Sequence, residues 1–135
     1  MNTLKRLNVT SFKVKGDYIT VFLEGRKVFP RTKIKIQQHV KSVGSWGKTK
    51  PLAKIDNDLE KKKDQLSCAC HEVIEPWLMK PRSLGGAGFE LPYSQAHEIA
   101  EFLEKKFHVK RWGLKSWKEY SKRVDYVWKK EKEEN

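Results

Sequence analysis

Basic and apolar residues alternate in two stretches near the start of the chain, and this alternation constrains the fold more than any other feature. In one stretch Lys13 and Lys15 alternate with apolar residues, and in the other Arg31, Lys33 and Lys35 do so. A period of two is that of a β-strand with one buried and one solvated face. Between them, a Gly–Asp turn leads into the apolar run 18–23, which is typical of a central strand. We therefore predict a small antiparallel β-meander over about residues 9–41.

The remainder of the chain changes to a helical period. Apolar residues recur every three or four positions over about residues 56–75, 94–107 and 116–130, which predicts three helices. The expected N-caps are Asp56 or Asn57 for the first helix, Ser94 for the second and Ser116 for the third, and Pro76 is expected to stop the first helix. The predicted fold is α+β, a single domain over residues 1–135 in which the meander packs against the helices. We expect the charged tail to fray from about residue 131.

Two segments are predicted to be loops. Residues 43–51 hold Trp46 among glycines and lysines, which fits either a stacking platform or a plug at one end of the sheet. Residues 76–92 contain a Gly-Gly-Ala-Gly run whose amides could face a phosphate, but the run lacks the Lys-Ser/Thr ending of a P-loop. A hinge or a strand-like return is the favoured interpretation of this second loop.

Charge is distributed unevenly along the chain. There are 29 Lys and Arg against 17 Asp and Glu, which gives a net charge of +12 and a pI of about 9.7. Residues 1–50 carry a net +10 and residues 105–135 a net +6, whereas residues 51–104 carry −4. Two basic segments converging on one groove would account for this pattern, and such a pI is typical of nucleic-acid-binding domains. Because 23 of the cations are lysines, we expect phosphate contacts with weak sequence specificity.

Aromatic residues are interleaved with the basic ones, and bases stack on such rings. Trp112 and Tyr126 lie off the apolar stripe of the last helix, whereas Trp117 and Trp128 lie on it and are expected to face the core. An ordinary solvated face remains the alternative for the lysine-bearing strands. The residues predicted to bind nucleic acid, single-stranded or structured, are Lys13, Lys15, Arg31, Lys33, Lys35, Trp46, Lys48, Lys50, Lys110, Arg111, Trp112, Lys115, Lys118, Lys122, Tyr126 and Lys129.

Cys68, Cys70 and His71 are the residues from which a zinc site would have to be built. Structural zinc sites space their cysteines by two to four residues and recruit a second ligand pair. Here the spacing is one residue, and the other three histidines form no partner pair in the sequence. We therefore expect no metal and no other cofactor. The cysteines fall on different sides of a predicted helix, so we expect unpaired buried thiols in a reducing, cytoplasmic compartment.

Three functions are compatible with these patterns. The leading one is a non-catalytic nucleic-acid-binding accessory protein, with DNA and RNA undistinguished. The alternative is an adaptor or inhibitor whose basic surface docks on an acidic protein, and the third is a metal-dependent nuclease. No apolar run approaches the length of a membrane span, and residues 1–7 lead into no apolar segment, so we predict neither a span nor a signal peptide.

Overall fold

A computed structural model describes residues 9–24, 26–27, 32–37, 44–46, 52–84 and 86–134. Arg31, Lys48 and Lys50 lie outside these described residues. Six strands precede three helices, and the predicted α+β class is confirmed. The elements are β1 (Val9–Lys15), β2 (Tyr18–Leu23), β3 (Arg26–Lys27), β4 (Thr32–Gln37), β5 (Gly44–Trp46), β6 (Leu52–Asp56), α1 (Lys62–Met79), α2 (Tyr93–Trp112) and α3 (Leu114–Glu134).

The strands form one sheet in the order β1-β2-β4-β6-β5, with β3 paired to β2. β1 and β2 form the predicted hairpin, and Gly16 in its turn has a φ of +59°, in the left-handed region that favours glycine. The sheet continues beyond the predicted meander, because β4 pairs in parallel with β6 and β5 adds an antiparallel edge. The predicted loop therefore contains a strand at Gly44–Trp46. Strand β6 was not predicted, because its alternation of buried and half-buried positions places only two apolar residues, Ala53 and Ile55, in the core.

Helices cover one face of the sheet. The strand residues on that face, such as Ile19, Val21, Ala53 and Ile55, are fully buried. α1 packs on β5 and β6, whereas α2 packs on β1. Full burial of one Ile or Val side chain stabilises a fold by roughly 1.5–3 kcal/mol. The opposite face of the sheet has exposed or half-buried residues and no described helix against it.

Helix α1 starts and ends later than predicted. Asp56 ends β6, and its Oδ1 accepts a hydrogen bond from the amide of Asp58 at 2.8 Å, so its carboxylate closes a turn instead of capping the helix. The helix begins at Lys62 and continues through Pro76 to Met79. Because Pro76 lies in the last turn, its missing amide removes a single helical hydrogen bond, and the helix tolerates it.

Helices α2 and α3 also differ from prediction at their starts. Pro92, and not Ser94, is the N-cap of α2, which extends to Trp112. Gly113, with a φ of +95°, separates the two helices. Ser116 lies inside α3 and is not its N-cap. The Ser116 hydroxyl instead hydrogen-bonds to side chains of the two neighbouring helices. None of the helices in the described ranges is apolar over enough residues to cross a membrane.

Candidate functional site

The uncovered side of the sheet carries lysines from three strands. Lys13 and Lys15 on β1 and Lys33 and Lys35 on β4 are exposed, and Lys54 on β6 is half-buried. We call this surface the open face; its described residues include Ser11, Lys13, Lys15, Tyr18, Thr20, Phe22, Lys33, Lys35, Leu52 and Lys54. Within the described chain, no carboxylate is ion-paired with any of its five lysines. The structure thus brings together the strand lysines that the sequence predicted.

Aromatic rings lie among these lysines. Tyr18 pairs with Lys15 on one side and with Lys33 on the other. The Lys13 Nζ atom lies 5.7 Å from the ring centroid of Phe22. Neither ring was predicted to lie in the site. The run 18–23 has large apolar residues on both faces of the strand, which predicts a strand buried on both sides.

Lys54 was missed for a different reason. It lies directly opposite Lys35 in the parallel pair of β4 and β6. Strands β4 and β6 are far apart in the chain, so their parallel pairing produces no pattern in the local sequence. Only the tertiary structure therefore assigns Lys54 to the open face.

The two tryptophans predicted to bind nucleic acid, Trp46 and Trp112, lie in different environments. Trp46 lies in β5, where its Cα pairs with Ala53, and not in a loop. Trp112 was singled out because it lies off the helical stripe, but it is half-buried and packs edge-on against Phe107 at 6.1 Å between centroids. Burial therefore accounts for Trp112. Beside it, the Arg111 guanidinium lies over the ring of Phe12, 4.7 Å from its centroid, while Lys110 is exposed.

Helix α3 carries the remaining predicted residues. Lys115, Lys118, Lys122 and Lys129 are exposed, and Tyr126 is 69% exposed. Helix α3 packs on α2 and is joined to α1 by side chains, so these residues lie on the helical side of the molecule and are not brought to the open face. Of the predicted stripe, Tyr120 and Val127 are buried and Trp117 is half-buried, but Trp128 is 43% exposed. Its predicted burial is wrong because it lies at the wall of an open cavity.

That cavity, of about 440 Å³, lies between the three helices. Its wall carries both histidines and carboxylates, chiefly His71, Glu72, His97, Glu101 and Glu104. Most of these come from the segment with a net charge of −4, so the acidic middle of the chain folds into the cavity wall. An acidic cavity therefore lies on the other side of the core from the open face.

His71 is held between two carboxylates. Its Nε2 lies 2.9 Å from Oε2 of Glu75, and its Nδ1 lies 2.9 Å from Oε1 of Glu104. The other oxygen of Glu104 accepts a hydrogen bond from the Tyr120 hydroxyl at 2.5 Å. Burial by itself would lower the pKa of His71, but the hydrogen bonds to Glu104 and Glu75 raise it well above its ordinary value.

His97 completes this cluster from helix α2. Its Nδ1 lies 2.9 Å from the same Oε2 of Glu75, and its ring centroid is 4.9 Å from that of His71. Hydrogen bonds from the two histidines outweigh burial and lower the pKa of Glu75. Burial raises the pKa of the adjacent Glu72 to about 8, although His71 acts against it. Nothing in the sequence indicated this contact between His71 and His97, because it joins residues 26 positions apart on two different helices.

The cysteines do not assemble into the zinc site that the sequence offered. Both are unpaired and buried, and Cys70 is completely enclosed in the core, whereas Cys68 reaches the cavity wall. Burial raises the pKa of both thiols, which disfavours the thiolate that zinc requires. Among the described residues, His71, Glu75 and His97 form a group whose side-chain atoms lie close enough together to hold a metal ion.

A serine–histidine arrangement also occurs, but it is closed to substrate. The Ser67 hydroxyl lies 2.7 Å from Nδ1 of His108, whose Nε2 lies 2.9 Å from the Ser116 hydroxyl. Lys63 donates to the same Ser116 oxygen at 3.0 Å. Ser67 and His108 have no solvent-exposed surface, so this chain of hydrogen bonds ties the three helices together and offers no accessible nucleophile.

Comparison with known proteins gives no match to a family model, to a curated protein or to a solved structure. The function is therefore inferred from the geometry of the chain itself.

Proposed function

We propose that this protein is a non-catalytic nucleic-acid-binding protein that uses the open face. The observation that carries the proposal is the direct opposition of Lys35 and Lys54 on neighbouring strands. Like charges opposite each other destabilise a sheet. A polyanion lying across β4 and β6 would relieve this repulsion, because one phosphate backbone can neutralise both ammonium groups.

Single strands are the favoured ligands. Tyr18 and Phe22 lie between the lysine rows and are partly exposed, so they combine a flat ring with nearby cations. Proteins that bind single strands without sequence preference pair a basic surface with rings on which bases stack. Lysine is a flexible point charge and does not form the fixed fork that reads guanine, which supports weak sequence specificity.

We place this activity in the reducing cytoplasm. Support comes from Cys68 and Cys70, which are both free and buried. Free thiols persist in compartments where glutathione and thioredoxin keep them reduced.

The experiment is a fluorescence-anisotropy titration of labelled single-stranded and double-stranded DNA and RNA at several salt concentrations. Binding should weaken with salt by a log–log slope of about −0.7 for each phosphate contacted in a single strand. The double variant Lys35→Gln, Lys54→Gln should reduce the magnitude of this slope by about 1.4, or about 0.7 for each lysine. The same variant should melt at a slightly higher temperature, because the repulsion between the two lysines is removed.

The matched control is Lys118→Gln, Lys122→Gln on α3, which changes the net charge equally but leaves the open face intact. This control should bind almost as the wild type does.

A Tyr18→Leu variant should weaken single-strand binding by about 1–3 kcal/mol, whereas Tyr126→Leu on α3 should not. Equal losses from the sheet and α3 variants would move the site away from the open face. A flat salt dependence would reject nucleic acid and favour an acidic protein partner.

A further inference from the structure

The histidine–carboxylate cluster has the composition of a metal site. His71 and Glu75 lie one turn apart on α1, and His97 comes from α2. One possible ligand atom from each of these residues lies within 4.8 Å of those of the other two. Tetrahedral zinc with bonds of about 2.0–2.2 Å holds its ligand atoms roughly 3.3–3.6 Å apart. The two histidine–Glu75 distances of 2.9 Å therefore need only a small expansion to admit an ion.

The cluster also has the outer support that ligand histidines require. A histidine that binds a metal through one ring nitrogen usually donates its other N–H to a carboxylate, which fixes the tautomer and the ring orientation. Glu104 occupies that position at Nδ1 of His71, and Tyr120 orients Glu104 in turn. His71 is thus presented with Nε2 directed towards Glu75 and His97.

A separate observation points to a missing cation. Glu72 is only 8% exposed, lies in the cavity wall beside His71, and has no hydrogen-bond partner among the described residues. Glu75 and Glu104 are buried with it, and in the described part of the chain neither Lys nor Arg forms an ion pair with these three carboxylates. Burying a polar group without a hydrogen-bond partner is costly whether or not the group is ionised. An ion held by the neighbouring residues, with its water ligand in the cavity, would give the Glu72 side chain a partner.

The cavity provides both a route in and a free coordination position. His97 has 46% of its side chain exposed, and both histidines reach the cavity wall. Three protein ligands beside an open cavity are the arrangement of zinc sites that retain a water molecule as fourth ligand, whereas structural sites are closed by four protein ligands.

We propose that His71, Glu75 and His97 bind one divalent transition-metal ion of the zinc class, through Nε2, a carboxylate oxygen and Nδ1, with the remaining position facing the cavity. Two imidazoles and one carboxylate suit zinc and its first-row neighbours better than magnesium or calcium, which prefer all-oxygen sites. The site is separate from the open face and does not depend on nucleic-acid binding.

The test is a titration of the metal-free full-length protein with Co²⁺, followed by its visible absorption, and with Zn²⁺, followed by calorimetry. We expect one ion per chain. His97→Ala is the main variant, because His97 is half-exposed and its loss leaves the core intact; it should weaken binding by at least about tenfold. Glu104→Gln, which changes only the group behind His71, should weaken it by about 10–100-fold.

Cys68→Ala is the matched control. It alters the same cavity wall and removes one of the residues that the sequence offered for zinc, yet it should bind the ion as the wild type does. Circular dichroism and urea unfolding establish that each variant is folded. The proposal is overturned if the wild type binds neither ion, if folded His97→Ala binds as tightly as the wild type, or if Cys68→Ala loses the site. If the wild type binds neither ion, the cluster is a purely structural hydrogen-bond network.

Discussion

Arg123 on helix α3 donates two hydrogen bonds to the carboxylate of Asp64 on helix α1, from Nε at 2.5 Å and from Nη2 at 2.9 Å. Asp64 is fully buried, whereas 30% of the Arg123 side chain remains exposed. The pair raises the pKa of Arg123, mainly through the hydrogen bond to Asp64. Because α3 has few backbone contacts with α1, this forked contact fixes how α3 closes the cavity wall.

Removing the guanidinium should therefore be costly. Arg123→Gln leaves the Asp64 carboxylate buried without a cation, and we expect the free energy of unfolding to fall by about 3–5 kcal/mol. Arg123→Lys should lose only part of this free energy of unfolding. Lysine keeps the positive charge, but its ammonium group cannot make the two-pronged contact of the guanidinium. The neighbouring exposed Lys122→Gln should change it by less than about 0.5 kcal/mol. Urea unfolding measures all three, and a loss below about 1 kcal/mol for Arg123→Gln would mean that the pair is not needed to hold α3.

Two tyrosines on α3 differ in their burial and in what their hydroxyl groups contact. Tyr120 is 3% exposed and donates to buried Glu104, whereas Tyr126 is 69% exposed. Tyr120→Phe leaves an acceptor of Glu104 unsatisfied, so it should reduce the free energy of unfolding by about 1–3 kcal/mol. Tyr126→Phe should have almost no effect on thermal or urea unfolding. Equal effects would show that Glu104 finds another donor when the hydroxyl is removed.

His108 should make the protein sensitive to mild acid. Burial lowers its pKa; Lys63 on α1 and Arg123 on α3 act in the same direction, and Asp64 on α1 opposes them. Because the folded pKa is below the unfolded value of about 6.5, the unfolded state binds more protons between the two values. The contribution of His108 to stability is therefore present above pH 6.5 and is lost as the pH falls through the folded pKa.

The measurement is urea unfolding of the wild type and His108→Gln at pH 7.5, 6.5 and 5.5. The difference in unfolding free energy between them should shrink below pH 6.5, by at most about 1.4 kcal/mol per pH unit for one proton. A difference that is constant over this range would mean that His108 takes up its proton equally in both states.

Gly86 lies where no side chain fits. A Cβ atom on this residue would lie 2.0 Å from the carbonyl oxygen of Lys80, and the clash is with backbone. The amides of Gly86, Ala87 and Gly88 donate to the carbonyls of Pro81, Trp77 and Lys80, so this segment is a closed turn whose amides are not free for a phosphate. Gly86→Ala should reduce the free energy of unfolding by about 1–3 kcal/mol.

Gly16 provides the comparison, because its Cβ would meet no atom within 4 Å and only its φ of +59° disfavours a side chain. Asparagine tolerates that conformation, so Gly16→Asn should be better tolerated than Gly16→Ala. At Gly86, asparagine should be no better than alanine. Rescue by asparagine at Gly86, measured by urea unfolding, would show that conformation and not the clash limits that position.

The sequence by itself determined the α+β class and four of the five lysines of the open face. A strand repeats every two residues, so the alternation around Lys13 and Lys33 indicates both the strand and its solvated side without knowledge of any neighbour. The hairpin turn at Gly16 could be predicted as well, since it depends only on the conformational freedom of one residue.

The tertiary structure alone decided the parallel pairing of β4 with β6 and the metal-competent cluster. Helical periodicity identifies one apolar stripe on α1, but the sheet and two helices surround α1, so its polar side chains at Ser67, His71, Glu72 and Glu75 are buried as well. What each polar group then meets depends on the packing of a distant segment: His97 and Glu104 reach His71 only because α2 crosses it. No local period encodes such a contact, because its energy arises from groups that are far apart in the chain and enclosed together.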